Sequence, residues 1–177
     1  MYQLITDINT LLNEEEQVMG SFVVTASKQT SKKLFDSHAH FKEYPTKRDE
    51  NGNPSREVLY HVTISYQPVL SIAKVFQKYI GQKVKVKMSG LYQNDFIQAF
   101  YVKEMILENG ERLQKKDSGP GQERGPAHMT ISWEPGHKAS EANTFLLQRQ
   151  KSNPNPDRSI DEQFTGEFVF IPSKPKA

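Results

Sequence analysis

The sequence HVTIS at residues 61–65 recurs as HMTIS at residues 128–132. The two copies lie in segments 56–67 and 127–133, which are rich in β-branched and aromatic residues and are therefore predicted to be strands. In a strand, residues i and i+2 point to the same face, so each copy places an imidazole beside a hydroxyl and turns apolar side chains the other way. The repeat thus predicts two matched His-Thr pairs that face each other across a cleft.

The rest of the chain combines helical and strand patterns without the regular βαβ order of a parallel sheet. Helices are predicted at residues 2–17, 28–41, 69–80 and 140–150. Further strands are predicted at residues 21–27, 82–88, 90–93, 96–106 and 163–171, and loops at 42–55 and 115–126. This order predicts an α+β protein with antiparallel strands.

Composition excludes several kinds of chemistry. The chain has 177 residues, five His, no Cys and a formal net charge of +2. Without Cys there can be no disulfide, thiol nucleophile, thiolate zinc site or iron–sulfur cluster. No apolar run reaches the roughly 18 residues that cross a membrane, and the N-terminal segment is acidic and amphipathic. We therefore expect a soluble, cytoplasmic protein with no membrane partner.

The repeated residues fit phosphoryl chemistry. At neutral pH one of the two imidazoles, His61 or His128, can act as a general base on water while the other, protonated, donates to a leaving oxygen. The hydroxyls of Thr63 and Thr130 can hydrogen-bond the non-bridging oxygens of a phosphate. Neither role needs a metal, so no cofactor is expected.

Two residues that follow each His-Thr pair, a serine and an aromatic residue, are weaker candidates. Strict alternation puts Ser65 and Ser132 on the face of the imidazoles, where they could donate to neighbouring groups. It puts Tyr66 and Trp133 on the opposite face, which favours a packing role over the alternative, stacking on a base near the cleft.

The two H-x-T-h signatures resemble those of the two-histidine (2H) phosphoesterase superfamily. The run GQKVKVKMSGLYQNDFIQAFYVKEM at 81–105 and the run HMTISWEPGHKASEANTFLL at 128–147 are similar to the cyclic phosphodiesterase domain of fungal tRNA ligases. The resemblance implies a bilobal α+β fold, in which two antiparallel sheets flank a central cleft with helices outside. On this basis residues 20–171 form the phosphoesterase domain. The apolar periodicity predicts an amphipathic helix at 1–19, which has no counterpart in the family, and the tail at 172–177 is expected to be disordered.

The resemblance also implies an activity. It suggests hydrolysis of a 2′,3′-cyclic phosphate on an RNA end or nucleotide to a 2′-phosphate, with no DNA partner. By the same resemblance, His61 and His128 are the acid–base pair, and Thr63 and Thr130 bind the phosphate. An alternative within this chemistry is cleavage of cyclic oligonucleotide immune signals, as some phage-encoded 2H proteins do. The oligomeric state is left open.

Two further features suggest other roles. Lys83, Lys85 and Lys87 alternate along one predicted strand, and Tyr92, Phe96 and Phe100 lie nearby as stacking candidates. Together they could form a non-catalytic RNA-binding module, although a solvated strand face is the commoner explanation. Arg124 and Lys116, in the loop before the second motif, are the cations expected to meet a phosphate.

Three His lie outside the repeat. His38 and His40 lack a third ligand at recognisable spacing, so a polar loop or helix end is favoured over a metal site. His137 lies in a Pro-Gly turn and is expected to be exposed. Ser140, followed by Asn143, is expected to cap a helix.

Overall fold

The computed structural model describes residues 16–116 and 125–173. These residues form, in chain order, the following elements: β1 (Gly20–Thr25), α1 (Lys28–His38), β2 (Thr46–Arg48), β3 (Pro54–Val58), β4 (His61–Tyr66), α2 (Leu70–Gln77), β5 (Lys83–Gln93), β6 (Ile97–Leu107), β7 (His128–Trp133), α3 (Glu141–Ser152) and β8 (Arg158–Pro172). The predicted α+β class is confirmed.

The six main strands belong to one antiparallel sheet in the order β4-β1-β8-β5-β6-β7. The predicted division into two sheets is wrong, because the 15-residue strand β8 joins the two halves. Its first part pairs with β5, and its last part, from Glu167, pairs with β1. The edge strands β4 and β7 nevertheless approach each other, with Cα atoms within 8 Å. The sheet therefore curls until the two repeat strands are neighbours.

A small hairpin lies where a loop is predicted. Strands β2 and β3 pair around a turn in which the Asp49 side chain accepts hydrogen bonds from the backbone N–H groups of Asn51 and Asn53. The predicted strand 56–67 is consequently split into β3 and β4. The break comes at Leu59 and Tyr60, where Leu59 N–H donates to the Pro45 carbonyl instead of continuing a ladder.

The core lies on the face of the sheet opposite the His-Thr pairs. Val62 and Ile64 of β4, and Met129 and Ile131 of β7, are fully buried. Helix α2 adds Phe76, which packs near the rings of Phe22 and Phe168, and helix α3 packs Ala142 and Leu146 against the β5–β6 turn region. Two helices thus cover apolar surface and leave the edge-strand seam open.

The terminal predictions are mostly outside the described part of the chain. Of the predicted helix 1–19, residues 1–15 are not among the described residues, and Gln17 forms an isolated β-bridge with Val69. Of the predicted tail 172–177, Pro172 ends β8, and residues 174–177 lie outside. Within the described residues, no helix is long and apolar enough to cross a membrane.

Candidate active site

Four side chains of the repeat line one cleft between the edge strands. His61 and Thr63 on β4 and His128 and Thr130 on β7 are all partly exposed and all line both parts of this cleft. We call these four residues the quartet. The structure therefore brings together the residues that the repeat predicts, while their chemical roles remain predictions.

Each repeat strand contains a β-bulge at the same position. The adjacent β1 residues Phe22 and Val23 pair with Ser65 and Thr63 of β4, so Ile64 has no partner on β1. The adjacent β6 residues Gln98 and Ala99 pair with Ser132 and Thr130 of β7, so Ile131 has no partner on β6. An extra residue in one strand reverses the alternation of every side chain beyond it. In both copies, the alternation of side chains between the two faces of the strand therefore changes at the Ile-Ser dipeptide.

This shift overturns the prediction for the serines and aromatics. Ser65 and Ser132 do not face the cleft but are fully buried next to the bulged isoleucines. Tyr66 is 38% exposed and lines the cleft beside the quartet, and Trp133 lines it as well. Strict alternation fails because it assumes an unbroken ladder on both strands.

The buried serines differ in their surroundings. The Ser132 hydroxyl donates to the Gln98 side-chain oxygen and accepts hydrogen bonds from the backbone N–H groups of His40 and Phe41. The Ser65 hydroxyl has no hydrogen-bond partner among the described residues. The Ser132 hydroxyl thus connects the segment after α1 to β7 by hydrogen bonds, whereas the Ser65 hydroxyl makes no such connection within the described residues.

The carbonyls released by the bulges find new partners. The Tyr60 hydroxyl, which is buried, donates to the Ile131 carbonyl at 3.1 Å, and Lys116 N–H donates to the Ile64 carbonyl at 2.9 Å. Burial raises the pKa of Tyr60, so its phenol stays protonated and can serve as this donor. Tyr60 directly precedes His61, and its bond to β7 therefore ties the two repeat strands together beneath the quartet.

Each imidazole is oriented by a carbonyl two residues earlier in the chain. His128 Nδ1 lies 2.8 Å from the Pro126 oxygen, and because a carbonyl can only accept, Nδ1 must carry the proton. The Leu59 carbonyl plays the same part for the ring of His61. In the neutral state of His128, the other nitrogen, Nε2, therefore has its lone pair available.

Burial lowers the pKa of both imidazoles. For His61 the loss of hydration outweighs the bond to Leu59, and the pKa lies below its usual range. For His128 burial is again the main cause, with the charges of Lys115 and His61 acting in the same direction, and the pKa falls to about 4. Lowered pKa values favour the neutral form of both rings at pH 7.

The cation beside the quartet is Lys115, which sequence reasoning missed. Its side chain lines the cleft with the quartet, and its Nζ donates to the Gly125 carbonyl at 2.8 Å. Lys116, the cation proposed instead, is exposed and uses its backbone to pair with β4. Arg124 lies outside the described residues. No local pattern identifies Lys115, because its place depends on the pairing of Lys116 with the bulge.

The other side of the cleft is built from strand β2 and from loops. Tyr44, Arg48 and Lys138 line it together with the quartet and Trp133. Glu43 forms a two-way backbone bridge with Trp133, which closes this side and places Tyr44 at the cleft. Tyr44 was not predicted, since the loop 42–55 gave no strand signal.

His137 and Ser140 do not behave as predicted. His137 is not simply exposed, because it lines the cleft, stacks on Phe96 with ring centroids 4.3 Å apart, and pairs with Glu141 at 3.1 Å. Ser140 occupies the N-cap position of α3, but its hydroxyl makes no capping hydrogen bond and instead lines the cleft. Asn143, one turn into α3, donates to the Ser140 carbonyl.

His38 and His40 do not form a metal site within the described residues. His38 Nε2 lies 2.9 Å from Glu162, while His40 is exposed, and no group of three His, Asp or Glu that could hold an ion is found in the described residues. The helix-end interpretation is therefore favoured.

The lysine face of β5 is not a continuous basic surface. Lys83 is opposite Glu167 on β8, and Lys87 pairs with Glu104 at 3.4 Å. Of the nearby aromatics, Tyr92 and Phe100 are buried and cannot stack on a ligand, and Phe96 is already stacked on His137. These contacts weigh against the RNA-binding module.

No protein-family model matches the chain, and no match was found among curated proteins. Among solved structures, one similar chain is described as the crystal structure of a fungal RNA kinase, with 12% sequence identity and a TM-score of 0.44. The similarity covers 88% of this chain but only 46% of that one, so the chain spans less than half the length of the kinase. Similarity at this level does not extend to activity.

Proposed function

We propose that the protein is a phosphodiesterase that hydrolyses 2′,3′-cyclic phosphates on RNA ends or nucleotides to 2′-phosphates without a metal. The observation that carries the proposal is the convergence of two repeated His-Thr pairs in one cleft. Two imidazoles and two hydroxyls supply an acid, a base and two donors for phosphate oxygens, which are the groups that this hydrolysis requires. The repeat explains why the pairs are matched.

In the proposed reaction, one neutral imidazole removes a proton from water as its oxygen attacks phosphorus. A bond forms between phosphorus and the water oxygen, the bond from phosphorus to the 3′ oxygen breaks, and the other imidazole, protonated, donates its proton to the departing oxygen. Thr63 and Thr130 donate hydrogen bonds to the non-bridging oxygens. A bound phosphate anion raises the pKa of a nearby imidazole, and this supplies the protonated ring.

The surroundings of the two rings suggest which is which. The charge of Lys115 opposes protonation of His128 and is not among the influences on the pKa of His61, so this charge favours His61 as the ring that carries the proton. We therefore assign His128 as the base in hydrolysis, with its unprotonated Nε2 directed to the water, and His61 as the acid. Lys115 would additionally attract the anionic substrate.

The test is hydrolysis of 2′,3′-cyclic AMP and of an RNA oligomer ending in a cyclic phosphate, in buffer containing EDTA. His61→Ala and His128→Ala are each expected to reduce turnover by about 10²- to 10⁴-fold, as for loss of a general acid or base. His40→Ala, which removes an exposed imidazole outside the cleft, is the matched control and should retain full activity. Absence of turnover by the wild-type protein, or full activity of either cleft variant, would refute the proposal.

A further inference from the structure

The separation of the two imidazoles is not fixed by pairing between the strands that carry them. Strands β4 and β7 lie at opposite ends of the six-strand order, and the sheet connects them only through β1, β8, β5 and β6. Each pairing contributes its own twist, so small changes of geometry accumulate along the sheet. The distance from His61 to His128 therefore depends on direct contacts between the two edge strands.

Tyr60 makes a contact of this kind. Its hydroxyl donates to the Ile131 carbonyl on β7 at 3.1 Å. Tyr60 directly precedes His61, and Ile131 directly follows Thr130, so the bond joins two segments that each carry a member of the quartet one position away. The ring is fully buried, and a close-packed interior leaves it little room to move. The bond is thus made by a side chain whose own position is fixed.

Tyr60 is also held on its own side of the cleft. Its backbone N–H donates to the buried hydroxyl of Ser31 on α1 at 3.0 Å, and its carbonyl accepts a hydrogen bond at 2.9 Å from the N–H of Ala26, directly after β1. With the hydroxyl on β7, the N–H, the carbonyl and the phenol of this residue are all engaged. Tyr60 therefore connects α1, β1 and β7 directly beneath the quartet.

We propose that Tyr60 is a positioning residue for the hydrolysis, whose hydroxyl holds His61 and His128 at the separation at which both can act on one phosphate. The inference rests on the proposed function and names the contact that sets the geometry of its site. Proton transfer requires donor and acceptor to lie within about 2.6–3.2 Å, at the base and at the acid alike. Attraction of an anion by nearby charges changes only gradually with distance. Loss of the Tyr60 bond should therefore impair the chemical step more than substrate binding.

The variant that removes this bond alone is Tyr60→Phe, which keeps the ring and loses the hydroxyl. With 2′,3′-cyclic AMP as substrate, kcat should fall by about 10- to 100-fold, as expected for a displacement of reacting groups by about 1 Å. KM should change far less, because the hydroxyls of Thr63 and Thr130 and the charge of Lys115 remain in the cleft.

Tyr92→Phe is the matched control. Tyr92 is also buried, and its hydroxyl also donates to a backbone carbonyl, that of Pro154 at 2.6 Å, but the residue does not line the cleft. The two variants lose the same kind of hydrogen bond and should show similar decreases in Tm, whereas kcat of Tyr92→Phe should equal that of the wild type. If Tyr60→Phe does not fold, Ser31→Ala takes its place, since it releases the Tyr60 N–H and should lower kcat in the same direction.

An NMR measurement tests the separation of the rings without turnover. The charge of His61 lowers the pKa of His128, so His61→Asn should raise the titration midpoint of the His128 ring protons. In the Tyr60→Phe background the same substitution should raise it less, because water that hydrates the freed Ile131 carbonyl moves the strands apart. The difference between the two backgrounds is the coupling that Tyr60 maintains.

Three results would overturn the inference. They are an equal kcat of Tyr60→Phe and Tyr92→Phe, a change of KM as large as that of kcat, and an equal rise of the His128 midpoint in the two backgrounds. In the substitute experiment, an unchanged kcat of Ser31→Ala has the same meaning. Absence of turnover by the wild-type protein would instead refute the proposed function, while the NMR comparison would still measure the effect of Tyr60 on the two rings.

Discussion

The depressed pKa of His128 makes a prediction about stability. Its pKa falls from 6.5 to about 4 in the folded chain, whereas in the unfolded chain it has the ordinary value. Between these two pH values the unfolded chain binds a proton that the folded chain does not, so the free energy of unfolding must fall as the pH is lowered. At pH 4.5 protonation of this one group lowers the free energy of unfolding by roughly 2 to 3 kcal/mol relative to pH 7.5.

The variant that isolates this effect is His128→Asn. Its side-chain amide can keep the donor to the Pro126 carbonyl but cannot titrate. Urea unfolding of both proteins at pH 7.5 and 4.5 should show a stability loss that is smaller in the variant by roughly 2 to 3 kcal/mol. His61, whose pKa is lowered in the same way, is present in both proteins and cancels to first order.

An NMR titration of the His128 ring protons provides the direct measurement. A midpoint at or above pH 6.5, or equal acid sensitivity of the two proteins, would show that the ring is hydrated rather than buried. The assignment of His128 as a neutral base would then lose its physical support.

Three further predictions concern the supports of the cleft. Ser132→Ala should destabilise the fold by about 1–3 kcal/mol in urea unfolding, because the backbone N–H of Phe41 loses its acceptor, whereas the N–H of His40 keeps the Gln98 side-chain oxygen at 2.9 Å. Ser65→Ala should cost less than about 0.5 kcal/mol, and equal costs would contradict the different surroundings of the two hydroxyls. Gly125→Ala should destabilise the fold more than Gly110→Ala. Both glycines have positive φ, but only a Cβ at Gly125 would meet a backbone oxygen, that of Asn143 at 2.6 Å. Thermal melts that give the reverse order would refute this reasoning. Lys115→Met should raise the pKa of the second-motif imidazole by removing a nearby positive charge, and an unchanged NMR midpoint would exclude that influence.

Local patterns in the sequence were sufficient for the fold class and for the quartet. Alternation and β-branching are properties of a few neighbouring residues, and they place His61 and Thr63 on one face whatever the rest of the chain does. The continuity of the sheet was not predictable in the same way. The first part of β8, Arg158–Glu162, is mostly exposed and has no apolar alternation, so it becomes a strand only through pairing with β5.

The residues that complete the site depend on contacts between distant parts of the chain. No Gly or turn residue marks the bulges at Ile64 and Ile131, and a single strand cannot reveal that its partner skips a residue. Lys115 reaches the cleft only because its neighbour pairs with the first bulge. Tyr44 reaches it because Glu43 bridges to Trp133. Such positions follow from tertiary pairing, which periodicity does not encode.

The bulges connect the architecture of the cleft to its chemistry. Without them, Ser65 and Ser132 would face the cleft, and Tyr66 and Trp133 would compete for space in a core that already holds the bulged isoleucines. One extra residue per strand exchanges these positions, so that the serine hydroxyl is buried in the core and the aromatic ring faces the cleft. The His-Thr pair, which precedes the bulge, keeps its orientation. Because the same shift occurs in two strands that run in opposite directions, the rings emerge at opposite ends of the cleft. A symmetric repeat gives both imidazoles similar surroundings. The asymmetry that the proposed acid and base require must therefore come from outside the repeat, where Lys115 acts on the pKa of His128.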